Sequence, residues 1–122
     1  MSKSTDDPTG RFFAELAARG TEPLLAKVAG RTRFDVVDGA KTRRWLLSVD
    51  HGALEVTPGN LDAGCVLRAE KAVFDKLVTG RLNAVAAVLR GDLQVSGDWR
   101  LVVRMQRLFP GPKASRRPKA TA

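Results

Sequence analysis

The chain has 122 residues, 43% of them apolar, with a formal net charge of +8. That length suits one domain able to bury its own core without disulfides or metal. One cysteine rules out an intramolecular disulfide, and one cysteine with one histidine rules out a zinc site of the usual ligands within one chain.

Residues 1–8 are expected to form a flexible N-terminus. The opening MSKSTDDPTG carries no apolar segment of a secretory leader, and no apolar run approaches the ~20 residues of a spanning helix. A soluble, cytoplasmic protein is expected. Asp7-Pro8 reads as a helix start, with an acid at the cap and proline at the first helical position. Phe12, Phe13, Leu16 and Ala17 then share one helical face, and Gly20 stops the helix. Thr21 and Pro23 open a second short helix holding Leu24, Leu25 and Val28, which Gly30 ends.

From Arg31 the apolar period becomes two. Phe34 and Val36, then Trp45, Leu47 and Val49, then Leu54 and Val56, then Ala63, Cys65 and Leu67 each mark a strand face. Asp38-Gly39, Asp50-His51-Gly52 and Pro58-Gly59-Asn60 are turn signals between them. Four successive strands with tight turns predict an antiparallel meander. From Phe74 to Phe109 the pattern becomes helix, helix, short strand, helix, punctuated by Gly80, Gly91 and Gly97. The strand there, Asp92 to Ser96, is the fifth, and its place in the sheet does not follow from pattern. The sum is an α+β two-layer sandwich: a five-stranded, mostly antiparallel sheet covered on one side by helices. The domain spans residues 9–109.

The tail, residues 110–122, holds Lys113, Arg116, Arg117 and Lys119 and no acid, half of the net charge. Its Pro, Ala, Ser and Lys/Arg composition predicts disorder, and its charge suits an anionic membrane surface or plain solubility.

Chemistry-bearing motifs are sparse. His51 beside Asp50 has the types of a general base and its orienter, but sits in a predicted hairpin turn. Cys65 has the type of a nucleophile but the position of a core residue. There is no GxSxG elbow, no GxxxxGK[ST] loop and no GxGxxG after a strand. Arg100, Arg104 and Arg107 line one face of the last helix, the pattern of a phosphate-contacting stripe or of the wet side of an amphipathic helix. With no tyrosine, and most aromatics at apolar-face positions, nucleic acid is not an expected partner.

The strands Trp45-Leu46-Leu47-Ser48-Val49 and His51-Gly52-Ala53-Leu54-Glu55-Val56, then Asp62 to Leu67, Ala72 to Leu77 and the run from Thr79 to Asp98, resemble in order and spacing the sterol carrier protein 2 domain (the SCP-2 sterol transfer family). The resemblance runs from about Phe12 to Phe109. It implies a hydrophobic tunnel between sheet and helices, non-covalent binding and carriage or presentation of sterols, fatty acyl chains, isoprenoids or other lipids, no catalysis and no cofactor. The last helix, Asp98 to Phe109, would line or gate the tunnel. Candidate lining residues are Phe74, Leu77, Leu82, Val85, Leu89, Leu101, Met105, Leu108 and Phe109. Methionine suits a pocket that accepts varied apolar shapes.

The chain departs from the family in lacking a C-terminal Ser-Lys-Leu address and a fused enzyme domain. Its Arg-over-Lys, Ala/Gly-rich composition points to a high-GC bacterium, where sterol is an improbable ligand. Two other readings stand beside the carrier: a filled-core module docking a partner enzyme, and a small enzyme.

Overall fold

In the computed structural model, residues 7–109 are described. The helix α1 (Pro8–Arg19) opens where the sequence places it. The Asp7 carboxylate accepts from the Gly10 N–H at 3.1 Å, and Pro8 needs no partner for its missing N–H. Asp7 and Pro8 are thus the cap and first residue of α1, although the stretch 1–8 was expected to be loose. Gly20, at φ 73°, ends the helix and returns its N–H to the Leu16 carbonyl.

Five strands follow: β1 (Ala29–Asp38), β2 (Lys41–Asp50), β3 (Ala53–Pro58), β4 (Cys65–Glu70) and β5 (Gln94–Gly97). Between β4 and β5 lie α2 (Lys71–Val78) and α3 (Ala84–Leu89), and α4 (Trp99–Met105) closes the fold with a 3-10 turn, Gln106–Leu108. The sheet order is β3-β2-β1-β4-β5. Thr32, Phe34 and Val36, Trp45, Leu47 and Val49, Leu54 and Val56, and Cys65, Leu67 and Ala69 fall in register on one face. With the helices they enclose a single apolar core. The α+β sandwich and its five strands are as expected.

The meander is not. The strand β4 leaves the neighbourhood of β3 and pairs with β1 in parallel, Thr32 opposite Cys65 and Phe34 opposite Leu67. The connection 59–64 carries it there. Arginines of β1 hold that connection: Arg33 Nη1 donates to Asn60 Oδ1 at 2.9 Å and to the Leu61 carbonyl, and Arg31 to the Asp62 carbonyl. Placed centrally, β4 has a strand on each side and buries Cys65, Leu67 and Ala69 under the helices. The strand β5 pairs antiparallel with β4 at the sheet edge. The second N-terminal helix shrinks to one 3-10 turn, Pro23–Leu25. Gly30 belongs to β1, where an added Cβ would meet Leu101 of α4 at 2.9 Å; it permits close packing and ends no helix.

The tail residues Lys113, Arg116, Arg117 and Lys119 lie outside the described residues.

Candidate functional site

The last helix is the element around which a ligand site can be argued. Its N-cap, Asp98, accepts from the Arg100 N–H at 3.0 Å. Seven residues give it two faces. Leu101, Val102 and Met105, with Leu108 beyond, are buried against the sheet, while Val103, Arg104 and Arg107 face outward. Beneath the helix the core holds a polar spot: the Thr32 hydroxyl donates to Met105 Sδ at 3.0 Å, next to buried Cys65.

On its outer side, α4 and the Pro23–Leu25 turn form a groove of about 680 Å³. Leu24, Val28 and Val103 supply apolar lining; Lys27, Arg104 and Arg107 bring positive charge. Leu24 is 58% exposed and Val103 37%, more than large apolar residues need be. Volumes of 300–1,000 Å³ are usual for small-molecule sites. Two members of the expected arginine stripe, Arg104 and Arg107, therefore lie at the groove.

The candidate lining residues separate into three groups. Phe74, Leu77, Leu101, Met105 and Leu108 are buried together in the core cluster. Leu82, Val85 and Phe109 are half-buried; Phe109 stacks on Phe12 with ring centroids 5.3 Å apart. Leu89 is 80% exposed. Ala84 and Ala87 are the residues α3 turns inward, and Leu89 falls on its far side at the last position. None of the nine lines the outer groove. The groove residues Leu24, Val28 and Val103 were legible as apolar, but not as neighbours, because the turn Pro23–Leu25 and the helix Trp99–Met105 are far apart in sequence and meet only in the fold.

The other chemical candidates are placed as follows. His51 lies in a two-residue turn at φ 51° with Gly52 at φ 92°, and its Nδ1 is 2.8 Å from Asp50 Oδ1, both side chains exposed. Burial pushes the Cys65 thiol up, against a smaller opposing effect of Thr32, so it stays protonated at neutral pH. Among the described residues no three His, Cys, Asp or Glu side chains group as a metal site, and no helix is long and apolar enough to cross a membrane.

The chain is 28% identical over 100 residues to "Peroxisomal multifunctional enzyme A" of Dictyostelium discoideum, covering 80% of this chain and only 22% of that protein. The structure of apo sterol carrier protein 2 from Yarrowia lipolytica superposes with a TM-score of 0.66 at 24% identity, covering 79% of this chain and 92% of the other. That of sterol carrier protein 2 from Aedes aegypti in complex with the C16 fatty acid palmitate superposes at 0.65 and 21% identity, covering 82% and 92%. Both likenesses show a shared fold. The family model of the SCP-2 sterol transfer family matches residues 12–110, and this chain belongs to that family.

Proposed function

We propose that the protein binds and carries a lipid or acyl chain non-covalently, without catalysing its conversion. The observation that carries the reading is the groove of about 680 Å³ beside α4, on the other side of which lies the apolar core. Outward movement of one short helix would join the two. The family supports a lipid ligand, and a relative in it holds palmitate. Burying a methylene contributes ~0.8 kcal/mol, so the site needs apolar area and little polar chemistry to hold a chain. Lys27, Arg104 and Arg107 would favour an anionic head at the mouth. Leu101, Met105, Leu108 and Phe109 are proposed to contact the chain once α4 moves, with Phe74, Leu77, Leu82 and Val85 deeper; Leu89 has no part in this arrangement. Kinship with a multifunctional enzyme favours presentation of the lipid to a partner enzyme.

The test is displacement of a fluorescent fatty acid by palmitate, with native mass spectrometry of the protein as isolated. Saturable displacement is expected, weakened roughly tenfold in a Leu24→Asp, Val103→Asp variant because apolar contact at the mouth is lost. A clean apo mass with no displacement would overturn the carrier reading in favour of a filled-core docking module.

A further inference from the structure

The face of the sheet away from the helices carries a cluster that lipid binding does not use. Asp35 of β1 points into it and is only 3% exposed. Arg33, two residues earlier on the strand, grips it with both arms of a fork, Nε to Oδ1 at 2.7 Å and Nη2 to Oδ2 at 3.0 Å. Arg44 of β2 stands directly opposite Asp35 on one side, and Arg68 of β4 on the other. Both aim at the same oxygen: Arg44 Nε is 3.5 Å and Arg68 Nη1 3.8 Å from Oδ2.

One carboxylate does not balance three guanidiniums. Arg33 takes one acceptor site on each Asp35 oxygen, and Arg44 and Arg68 stand at ion-pair distance from Oδ2 without hydrogen-bonding to it. Neither makes a side-chain hydrogen bond among the described residues, and Arg44 Nε is buried without an acceptor. Arg44 Nε itself faces Asp35, so an incoming acceptor would engage the exposed part of the Arg44 and Arg68 guanidiniums. Leu46, nearly buried, and Val66 flank Arg33 across the strands, lowering the local dielectric. The side chains of Arg44 and Arg68 remain 31% and 44% exposed, so a ligand can reach them. Beside Arg44 opens a recess of about 280 Å³ to which Thr42 and Asn60 add polar lining. Glu70 and Glu55 also point to this face, and neither pairs with these arginines.

We infer that Arg44 and Arg68 form a binding site for a phosphate group on the open face of the sheet. Arg33, Arg44 and Arg68 against Asp35 leave two positive charges, and Asp62, which acts on Arg33, offsets one of them, so the cluster still favours an anion. Planar guanidinium forks suit the phosphate oxygens, and Asp35 with Arg33 supplies the rigid base that holds them. The site is separated from the α4 groove by the sheet itself, so it stands or falls independently of the lipid reading.

The experiment titrates inorganic phosphate into the full chain at constant ionic strength, following the arginine Nε–Hε signals by NMR with sodium chloride as control. Saturable shifts at Arg44 and Arg68 are expected, with affinity falling about tenfold in Arg68→Met, which loses a charge-assisted hydrogen bond at an exposed position. Arg44→Met is read alongside it, with the backbone spectrum reporting the fold. A parallel arm measures co-sedimentation with phosphatidylcholine vesicles containing phosphatidate. Binding there that drops in Arg68→Met assigns the group to a lipid headgroup; phosphate binding without it assigns a free phosphate. Shifts no larger than those from chloride, or unchanged by Arg68→Met, would overturn the site.

Discussion

At the residue scale, Gly97 illustrates how local chemistry fixes the sheet edge. It sits at φ 95°, and an added Cβ would collide with the Gly64 carbonyl oxygen, which also accepts from the Asp98 N–H at 3.2 Å. The chain must pass this close for β5 to end on β4 and turn into α4. Gly97→Ala is therefore expected to cost roughly 3 kcal/mol or more in urea unfolding, since strain and collision combine. Gly39→Ala, in open space at φ 63°, is expected to cost about 1–2 kcal/mol from backbone strain alone. Equal losses at the two sites would refute the contribution of the Gly64 contact. Gly80, Gly91 and Gly97 all read from sequence as turning points and all take positive φ. Leu89 shows the limit of such reading: helical spacing gives a face, but not which face the neighbouring elements cover.

At the element scale, α1 is tied to α2 and β2 by a compact ionic network. Asp7 faces Arg43 at 3.0 Å and Lys71 at 3.3 Å, Lys71 faces Asp75 at 2.9 Å, and the Thr9 hydroxyl donates to Asp75 at 2.7 Å. Burial alone would raise the Asp7 carboxyl, but the Gly10 N–H, the hydrogen bond from Lys71 and the charges of Lys71 and Arg43 outweigh it and hold the pKa below 3.8. Burial would likewise lower Lys71, and its bonds to Asp75 and Asp7 prevail, holding it above 10.5. A depressed carboxylate stabilises the fold above its unfolded pKa and ceases to do so as pH falls through the folded one. Lys71 has the opposite sign: its contribution is complete below 10.5 and is lost as pH rises through its folded pKa. Asp7→Ala should cost about 1–2 kcal/mol at pH 7, combining a lost cap with lost ion pairs. That difference should shrink as pH drops below 3.8. A cost that stays constant from pH 7 to pH 2.5 would show that the carboxylate charge is not what matters. Apart from the cap and the Lys71–Asp75 pair within α2, this network was not legible from the sequence, because its partners come from three elements.

At the scale of the whole molecule, what could be read was what repeats locally. Alternation gave four strand faces, from Phe34 to Leu67, and their common burial gave the covered sheet. The parallel pairing of β1 with β4 escaped because Pro58-Gly59-Asn60 looks like a hairpin turn and opens a crossing connection instead. The Asp35 cluster escaped with it, since Arg44 and Arg68 become neighbours of Asp35 only once β4 lies beside β1. The α4 groove depends on the same long-range assembly. That helix is short: seven residues, marginal on their own, held to the sheet by Leu101, Val102 and Met105 and followed by Leu108. Central β1, in contrast, is bonded along its length to β2 and over six residues to β4. Hydrogen exchange should therefore proceed at least about a hundredfold faster in α4 than in β1, through local opening. Palmitate should slow exchange in α4 selectively, because a chain lodged beneath it adds contacts that only the closed helix makes. Exchange in α4 as slow as in β1, and unchanged by palmitate, would leave the helix a fixed wall and end its proposed part as the gate.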